Sequence, residues 1–474
     1  MSFSRVLLGL GLAACIASGA NAGPLQRLSV SANHRFFQRA DLSPFFWLGD
    51  TAWLLFSRLD RPATLRYLDN RRAKQFTVCQ VVLLQSTDVR AANGAAALID
   101  GDPARPRVTP GSDPADAKQY DYWDHVDWVL GEAAARGLYL ALLPTWGSVV
   151  KAGVLNERNA ADYARFLVRR YRSHPNVVWV LGGDAKGNEQ FETWRILGRT
   201  LRAEAPEHLI TFHPFGRTQS STWFHAEPWL DFNMFQSGHR RYDQDDTPKH
   251  FGEDNWRYVL DDYWKDPPKP VLDGEPSYEG IPQGLHDATQ PYWTDADARR
   301  YAYWSVFAGA FGHTYGNNAV MQFHGPDSGA GDYFPRRFWY EAIDDPGAGQ
   351  MRHLAALMLS RPFFERVHDA TVVVSGSGPR HAHVIATRGA DHEMVYSYIG
   401  KPFEIRLGII SGTSVRAWWY NPRDGSAQPI GLLKNSGTKW FAPPGQSAEG
   451  HDWVLVLDDA SRNYAQPGSA PRTR

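Results

Sequence analysis

The sequence predicts an α/β chain: a (β/α)8 TIM barrel followed by a small all-β sandwich. Three observations carry this. Eight short apolar runs alternate with helix-like segments between Phe45 and about Val320. The turn after the first run, Gly49-Asp50-Thr51, is unlike the glycine-rich phosphate loop of a doubly wound open sheet, the main rival architecture. Beyond about Val367 the pattern changes to short β-type runs separated by turn formers.

The eight runs are Phe45–Trp53, Phe76–Gln85, Leu138–Trp146, Val177–Asp184, Leu209–Phe215, Leu230–Gln236, Pro270–Glu275 and Gly309–Tyr315. Their apolar residues are near-continuous instead of alternating, as in strands buried on both faces. Helices are expected over Pro62–Lys74, Tyr120–Arg136, Ala160–Tyr171 and Glu189–Glu204, the last ended by Pro206. Arg90–Ala117 and Arg240–Asn255 are polar and read as long loops, where a barrel usually keeps its specificity. In the second part, Thr371–Ser375, His383–Thr387, Met394–Ile399, Val415–Tyr420 and Trp453–Leu457 read as strands. The expected organisation is a leader over 1–22, the barrel over 24–366, the sandwich over 367–460 and a flexible tail over 461–474.

Composition narrows the function. Of 474 residues, 43% are hydrophobic and 21% charged, as in a globular protein with a sizeable core. Lys and Arg number 50 against 51 for Asp and Glu, which argues against nucleic acid as a partner and fits a neutral or weakly charged substrate. Arg5, the apolar run Val6–Ala17 and the small-residue site Ala20-Asn21-Ala22 predict a signal peptide and export to the periplasm or beyond. That run, about 12 residues, is shorter than the about 20 needed for a transmembrane segment, and none is expected elsewhere. Leu12-Ala13-Ala14-Cys15 also resembles a lipoprotein box, so anchoring through Cys15 is the alternative fate. Cys79 lies in an apolar run and reads as a core residue.

In a barrel, the carboxyl ends of the strands line the working mouth. Those ends carry Asp50, Gln85, Trp146, Asp184, His213, Gln236 with His239, Glu275 with Tyr278, and His313. The strand interiors are apolar, so this polar and aromatic set marks a site. Gly182-Gly183 before Asp184 permit unusual backbone angles, although an Asp there can also simply cap the next helix. Strand alternation points Asp273 and Glu275 toward the axis together; an ion pair with an arginine is the structural alternative for Glu275.

Two acids on separate strand ends suit cleavage of a glycosidic bond. One donates a proton to the departing oxygen and the other stays ionised to meet the anomeric carbon. A separation of about 5–5.5 Å implies retention of configuration and about 6.5–9.5 Å inversion. Trp47, Trp53, Trp146, Trp223, Tyr278 and Tyr315 lie at or near the strand ends or in loops, and two or three of these aromatics are expected to stack on sugar. His213 and His313 are read either as partners of Asp184 or sugar hydroxyls, or as structural histidines. A zinc site from His213, His239, His313 and Asp50 is the other reading, but the sequence holds no compact ligand motif, and no metal or organic cofactor is expected.

Phe46-Trp47-Leu48-Gly49-Asp50-Thr51-Ala52-Trp53, Gly182-Gly183-Asp184, Asp273-Gly274-Glu275-Pro276 and Tyr315-Gly316 together resemble the apiosidase-like glycoside hydrolases. The resemblance covers roughly residues 25–460. It implies a barrel with a C-terminal β-domain of the collagen-binding type, Asp184 as acid/base, Glu275 as nucleophile, and an apiose-bearing pectin side chain as one candidate substrate. Where the broader clan ends its fourth strand in Asn-Glu, this sequence has Gly-Asp, a shorter acid. Collagen binding is not expected as the main role of the β-domain. A non-catalytic carbohydrate binder or a surface adhesion protein on the same scaffold is the alternative reading.

Overall fold

The computed structural model describes residues 25–469. The expected leader and Cys15 lie outside the described residues. Every one of the eight apolar runs contains a strand: β1 (Trp47–Thr51), β2 (Val78–Val82), β3 (Tyr139–Leu143), β4 (Val177–Ala185), β5 (Ile210–Pro214), β6 (Asn233–Gln236), β7 (Val271–Glu275) and β8 (Gly312–Tyr315). All pair in parallel. Six form a curled sheet in the order β5-β4-β3-β2-β1-β8, and β6 and β7 form a separate pair. Backbone bonds cross the two seams, from Asp231 N–H to Ile210 O (2.9 Å) and from Phe311 N–H to Val271 O (3.2 Å).

Helices follow the strands and cover their outer faces: α1 (Arg61–Ala73), α2 (Tyr122–Ala135), α3 (Ala160–Tyr171), α4 (Phe191–Glu204), α5 (Asn255–Tyr263), α6 (Asp295–Phe307) and α7 (Pro346–Leu359). Their starts are encoded locally. Asp60 accepts from Ala63 N–H ahead of Pro62, and Asp121 with Asp124 closes a reciprocal cap on α2, each a device that satisfies otherwise orphaned amides. With helices outside and the interior of the curled sheet within, the strands are buried on both faces, which explains why their runs are continuously apolar. Each fully buried Leu or Val contributes about 1.5–3 kcal/mol relative to exposure.

At the amino ends of the strands, Phe37 of a small N-terminal antiparallel sheet packs against Trp47, Phe232 and Phe311, with its ring 4.2 Å from that of Phe311. Trp47 is therefore core, far from the mouth. The segment read as a loop over Arg90–Ala117 includes a hairpin, Leu98–Ile99 with Asp102–Pro106, because Asp100-Gly101 supplies two positive-φ positions for the turn.

The C-terminal part is all β. Strands β9 (Val367–His368), β10 (Val373–Ser375), β11 (Val384–Arg388), β12 (His392–Ser397), β13 (Phe403–Leu407), β14 (Ser414–Tyr420), β15 (Ala427–Lys434), β16 (Gly437–Phe441) and β17 (Trp453–Asp459) form two sheets. Their orders are β9-β11-β12-β17-β14-β15 and β10-β13-β16. Val384, Phe403, Ile405, Val415, Trp419 and Leu455 pack between them. Buried ion pairs fasten this part to the first. Arg299 of α6 reaches Asp452 at 3.0 Å, and Arg361 meets Asp458 through two bonds of 2.6 and 2.7 Å. The tail expected to fray is instead docked as far as it is described: Arg361 donates to Ala465 O (3.1 Å) and Tyr464 to Asp391 (2.8 Å).

Candidate active site

At the carboxyl ends of the strands, Asp184, His213 and Glu275 place one donor atom each within 4.8 Å of one another. The backbone builds this. Gly182, Gly183 and Asp184 have φ of +92°, +90° and +50°, which swings the end of β4 out of its regular path. A Cβ on Gly182 would lie 2.1 Å from His213 O, so no other residue fits. Asp184, a non-glycine in the left-handed region, is held in a conformation of the kind that collects at functional sites. It does not cap α4, whose preceding residue is Gln190.

Glu275 arrives by a different irregularity. Along β6 and β7 the register jumps from Phe235 opposite Asp273 to Gln236 opposite Glu275. The jump breaks strand alternation, so the expectation that Asp273 and Glu275 share a face fails. Asp273 accepts from Ser237 Oγ (2.6 Å) and from Asn255 Nδ2 (3.0 Å) on α5, behind the wall. Glu275 faces the mouth, where its partners are imidazoles and not an arginine. His239 Nε2 lies 2.9 Å from Oε1. Tyr278 N–H donates to His239 Nδ1 (3.3 Å), which leaves Nε2 as the protonated nitrogen of the neutral ring and hence the donor to Glu275. His213 Nε2 stands 3.1 Å from Oε2, off the hydrogen-bond axis, so that contact is electrostatic more than directional.

The two carboxyls are driven apart in proton affinity. Asp184 opens to the cleft but is crowded by protein. Loss of hydration, then the charge of Glu275, raise its pKa to about 7, against smaller opposing effects of His213 and Gln236. Burial alone would raise Glu275 too, but His213 and His239 overcome it and hold its carboxyl well below the usual range. His213 is shifted the complementary way: burial opposes its protonation, yet contact with Glu275 wins and raises its pKa.

Around the pair is a cavity of about 160 Å³ whose walls include Trp53, Gln85, Trp146, Gln236, His239 and Tyr278. Trp53 and Trp146 meet edge-on at 5.3 Å and both approach the His213 ring, at 5.4 and 6.3 Å. Among the described residues, Gln85 Oε1 is buried in the wall of this cavity with no hydrogen-bond partner. A wider cleft of about 570 Å³ shares Asp184, Gln236 and His239 and continues over Lys186, Phe215 and Trp223.

Two candidates leave the site. Asp50 points behind β1, where Tyr67 and Arg71 of α1 each donate to Oδ2 at 2.6 Å. His313 is fully buried 3.3 Å from Ser305 Oγ on α6, and burial depresses its pKa to about 3. Both side chains project outward because of where their strands place them in the alternation. Tyr315 likewise binds Glu279 (2.6 Å) in the interior. The zinc set of His213, His239, His313 and Asp50 is thus not assembled; among the described residues, Asp184, His213 and Glu275 are the ones spaced closely enough to share a cation. Sequence reasoning missed Gln322, Asp332 and Tyr333, which reach the smaller cavity from the long segment after β8. No periodicity marks them; Gly329 and Gly331, set between Asp327-Ser328 and Asp332, are the available sign of a structured loop.

Solved structures share this architecture. One described as a glycoside hydrolase is 43% identical, with a TM-score of 0.88, over 93% of this chain and 98% of its own. Another, a glycoside hydrolase family 5 protein from Bacteroides vulgatus, is 42% identical with the same TM-score, over 94% and 96%. Acids paired across a cleft at the carboxyl ends of parallel strands, in this company, define the class: the protein is a glycoside hydrolase. Residues 31–365 match the model of the apiosidase-like catalytic domain, and the chain belongs to that family. Residues 367–458 match the "Putative collagen-binding domain of a collagenase". No curated protein matches the chain by sequence.

Proposed function

We propose that the protein hydrolyses O-glycosidic bonds with retention of configuration, with Asp184 as acid/base and Glu275 as nucleophile. The observation that supports this best is the approach of the two carboxyls to within 4.8 Å with opposite displacements of their proton affinities. That approach leaves no room for the water that an inverting enzyme places between its acids, about 6.5–9.5 Å apart. In the first step Glu275 attacks the anomeric carbon while protonated Asp184 gives its proton to the departing oxygen. The C–O bond breaks as a glycosyl ester forms. In the second, Asp184 takes a proton from water, whose oxygen displaces Glu275 and restores both groups. His239 and His213 keep Glu275 ionised before attack and stabilise it on departure.

The substrate class is plant or microbial polysaccharide, with apiose-bearing pectin side chains favoured by family membership. The eight strands close into one (β/α)8 barrel, the two seam hydrogen bonds being the support for closure. The barrel spans 24–366 and the β-domain 367–460, and the enzyme acts after export through its N-terminal leader.

A glycan panel with product analysis tests the activity, and proton NMR of the first-formed anomer tests stereochemistry. Asp184→Asn and Glu275→Gln are each expected to lower turnover at least about 10²–10⁴-fold with folding intact. Near-normal rates in either variant, or an inverted first product, would overturn the assignment.

A further inference from the structure

Part of the wall of the wider cleft is the segment from Arg240 to Lys249, whose Asp246, Thr247 and Lys249 line it. Apart from a single 3-10 turn at Tyr242–Gln244, this segment has no helix or strand to hold it. What fixes it is polar, and part of it comes from the β-domain. His381, 128 residues distant, brings Nε2 to 3.0 Å from Glu253 Oε2, and Arg300 of α6 reaches the same oxygen at 2.7 Å. The other oxygen, Oε1, accepts Tyr242 N–H at 3.3 Å. The Arg380 guanidinium lies 4.9 Å from the centre of the Tyr242 ring, and that ring packs where a Cβ on Gly252 would be, 2.2 Å from Cδ1.

From there the contacts run to the cleft. Gly252 N–H donates to Asp245 Oδ2 (2.6 Å). Asp245 Oδ1 accepts Thr247 N–H (3.0 Å) and faces Arg217 Nη1 at 3.3 Å. Thr247 and Arg217 both line the cleft. His381 is itself held from the far side by Glu449, at 2.7 Å from Nδ1, so its imidazole bridges a carboxylate of each domain. Glu253 is almost fully buried, and a charge there is tolerated only while its partners stay in place.

We propose that the β-domain is a positioning element for the substrate: through Arg380 and His381 it sets the Arg240–Lys249 wall of the cleft outside the catalytic pair. This rests on the hydrolase reading above. Asp184 borders that cleft and Glu275 does not. The acid that protonates the leaving group therefore faces it, and the wall belongs to the leaving-group side. Arg380 and His381 touch no substrate; they act through Glu253 and Tyr242.

The test uses the full chain with Arg380→Ala, His381→Ala and His381→Gln. Hydrogen–deuterium exchange in peptides spanning 240–252 is expected to rise at least about tenfold in the alanine variants and to return toward wild type in His381→Gln, whose amide can still donate to Glu253. On a polysaccharide that the wild type cleaves, KM is expected to rise about tenfold with kcat within about twofold, since the catalytic pair is untouched. On an aryl glycoside of the same sugar, whose leaving group is too short to reach the wall, both constants are expected to stay near wild type. Unchanged exchange overturns the brace, and that arm reads out even if no glycan is cleaved, which would instead count against the hydrolase reading. Raised exchange with unchanged KM on the polymer overturns the positioning role.

Discussion

Replacing Glu275 by Gln should free Asp184 to ionise at lower pH. The charges lie within 4.8 Å of each other at their nearest oxygens. At an effective dielectric of about 20, that spacing corresponds to an interaction of about 3.5 kcal/mol, or about 2.5 pH units. Asp184 is open to cleft water, which screens the pair. The expected fall is therefore smaller, about one to two pH units, from the starting value of about 7. The sign is fixed: removing a neighbouring negative charge favours the carboxylate. Loss of hydration is the larger cause of the raised value and survives the substitution, so the midpoint should remain above that of a free Asp. Selective carbon-13 labelling of the Asp carboxyls, titrated in wild type and variant and assigned with Asp184→Asn, measures it directly. An identical midpoint in both proteins refutes the coupling and, with it, the account of how the acid is kept protonated.

Other outcomes follow from the same geometry. With Asp184 as the proposed acid, which starts the reaction protonated, kcat/KM should fall as pH rises through about 7, while the depressed affinity of Glu275 keeps the acid limb below the usual carboxylate range; a pH–rate profile checks both. His239→Ala removes the 2.9 Å donor to Glu275 and should move the acid limb upward, an effect absent if the histidine serves packing alone. Asp50→Asn leaves Arg71 buried without its counter-charge and should cost about 3–5 kcal/mol by denaturant unfolding, yet the folded fraction should bind and turn over substrate normally, since Asp50 lies behind the wall. Gly182→Ala forces a Cβ to 2.1 Å from His213 O and should lower both Tm and kcat, which an unperturbed thermal melt would contradict.

The strands were legible because each is sealed on both faces, and continuous apolar runs such as Val177–Leu181 leave no second interpretation once helices alternate with them. Asp184 was legible through Gly182 and Gly183, whose positive φ values are the means of placing it. Asp50 and His313 were misassigned for a different reason. A strand end alternates between facing the mouth and facing the helices, and one residue of register decides which. Asp50 is paired with Arg71, 21 residues away, with no sequence signal of that pairing. Asp273 shows the same limit: the register jump beside Gly274 is a property of two strands together, invisible in either. The contact of His381 with Glu253 joins separate domains and follows from docking, which local pattern cannot encode.

The narrow gap between Asp184 and Glu275 has a further consequence. On the retaining route proposed above, a sugar held as an ester on Glu275 waits for whichever hydroxyl reaches it first, and the adjoining cleft of about 570 Å³ has room for more than water. At high concentrations of a saccharide or simple alcohol, the enzyme should therefore build new linkages as well as break old ones, with mixed products accumulating before hydrolysis reclaims them.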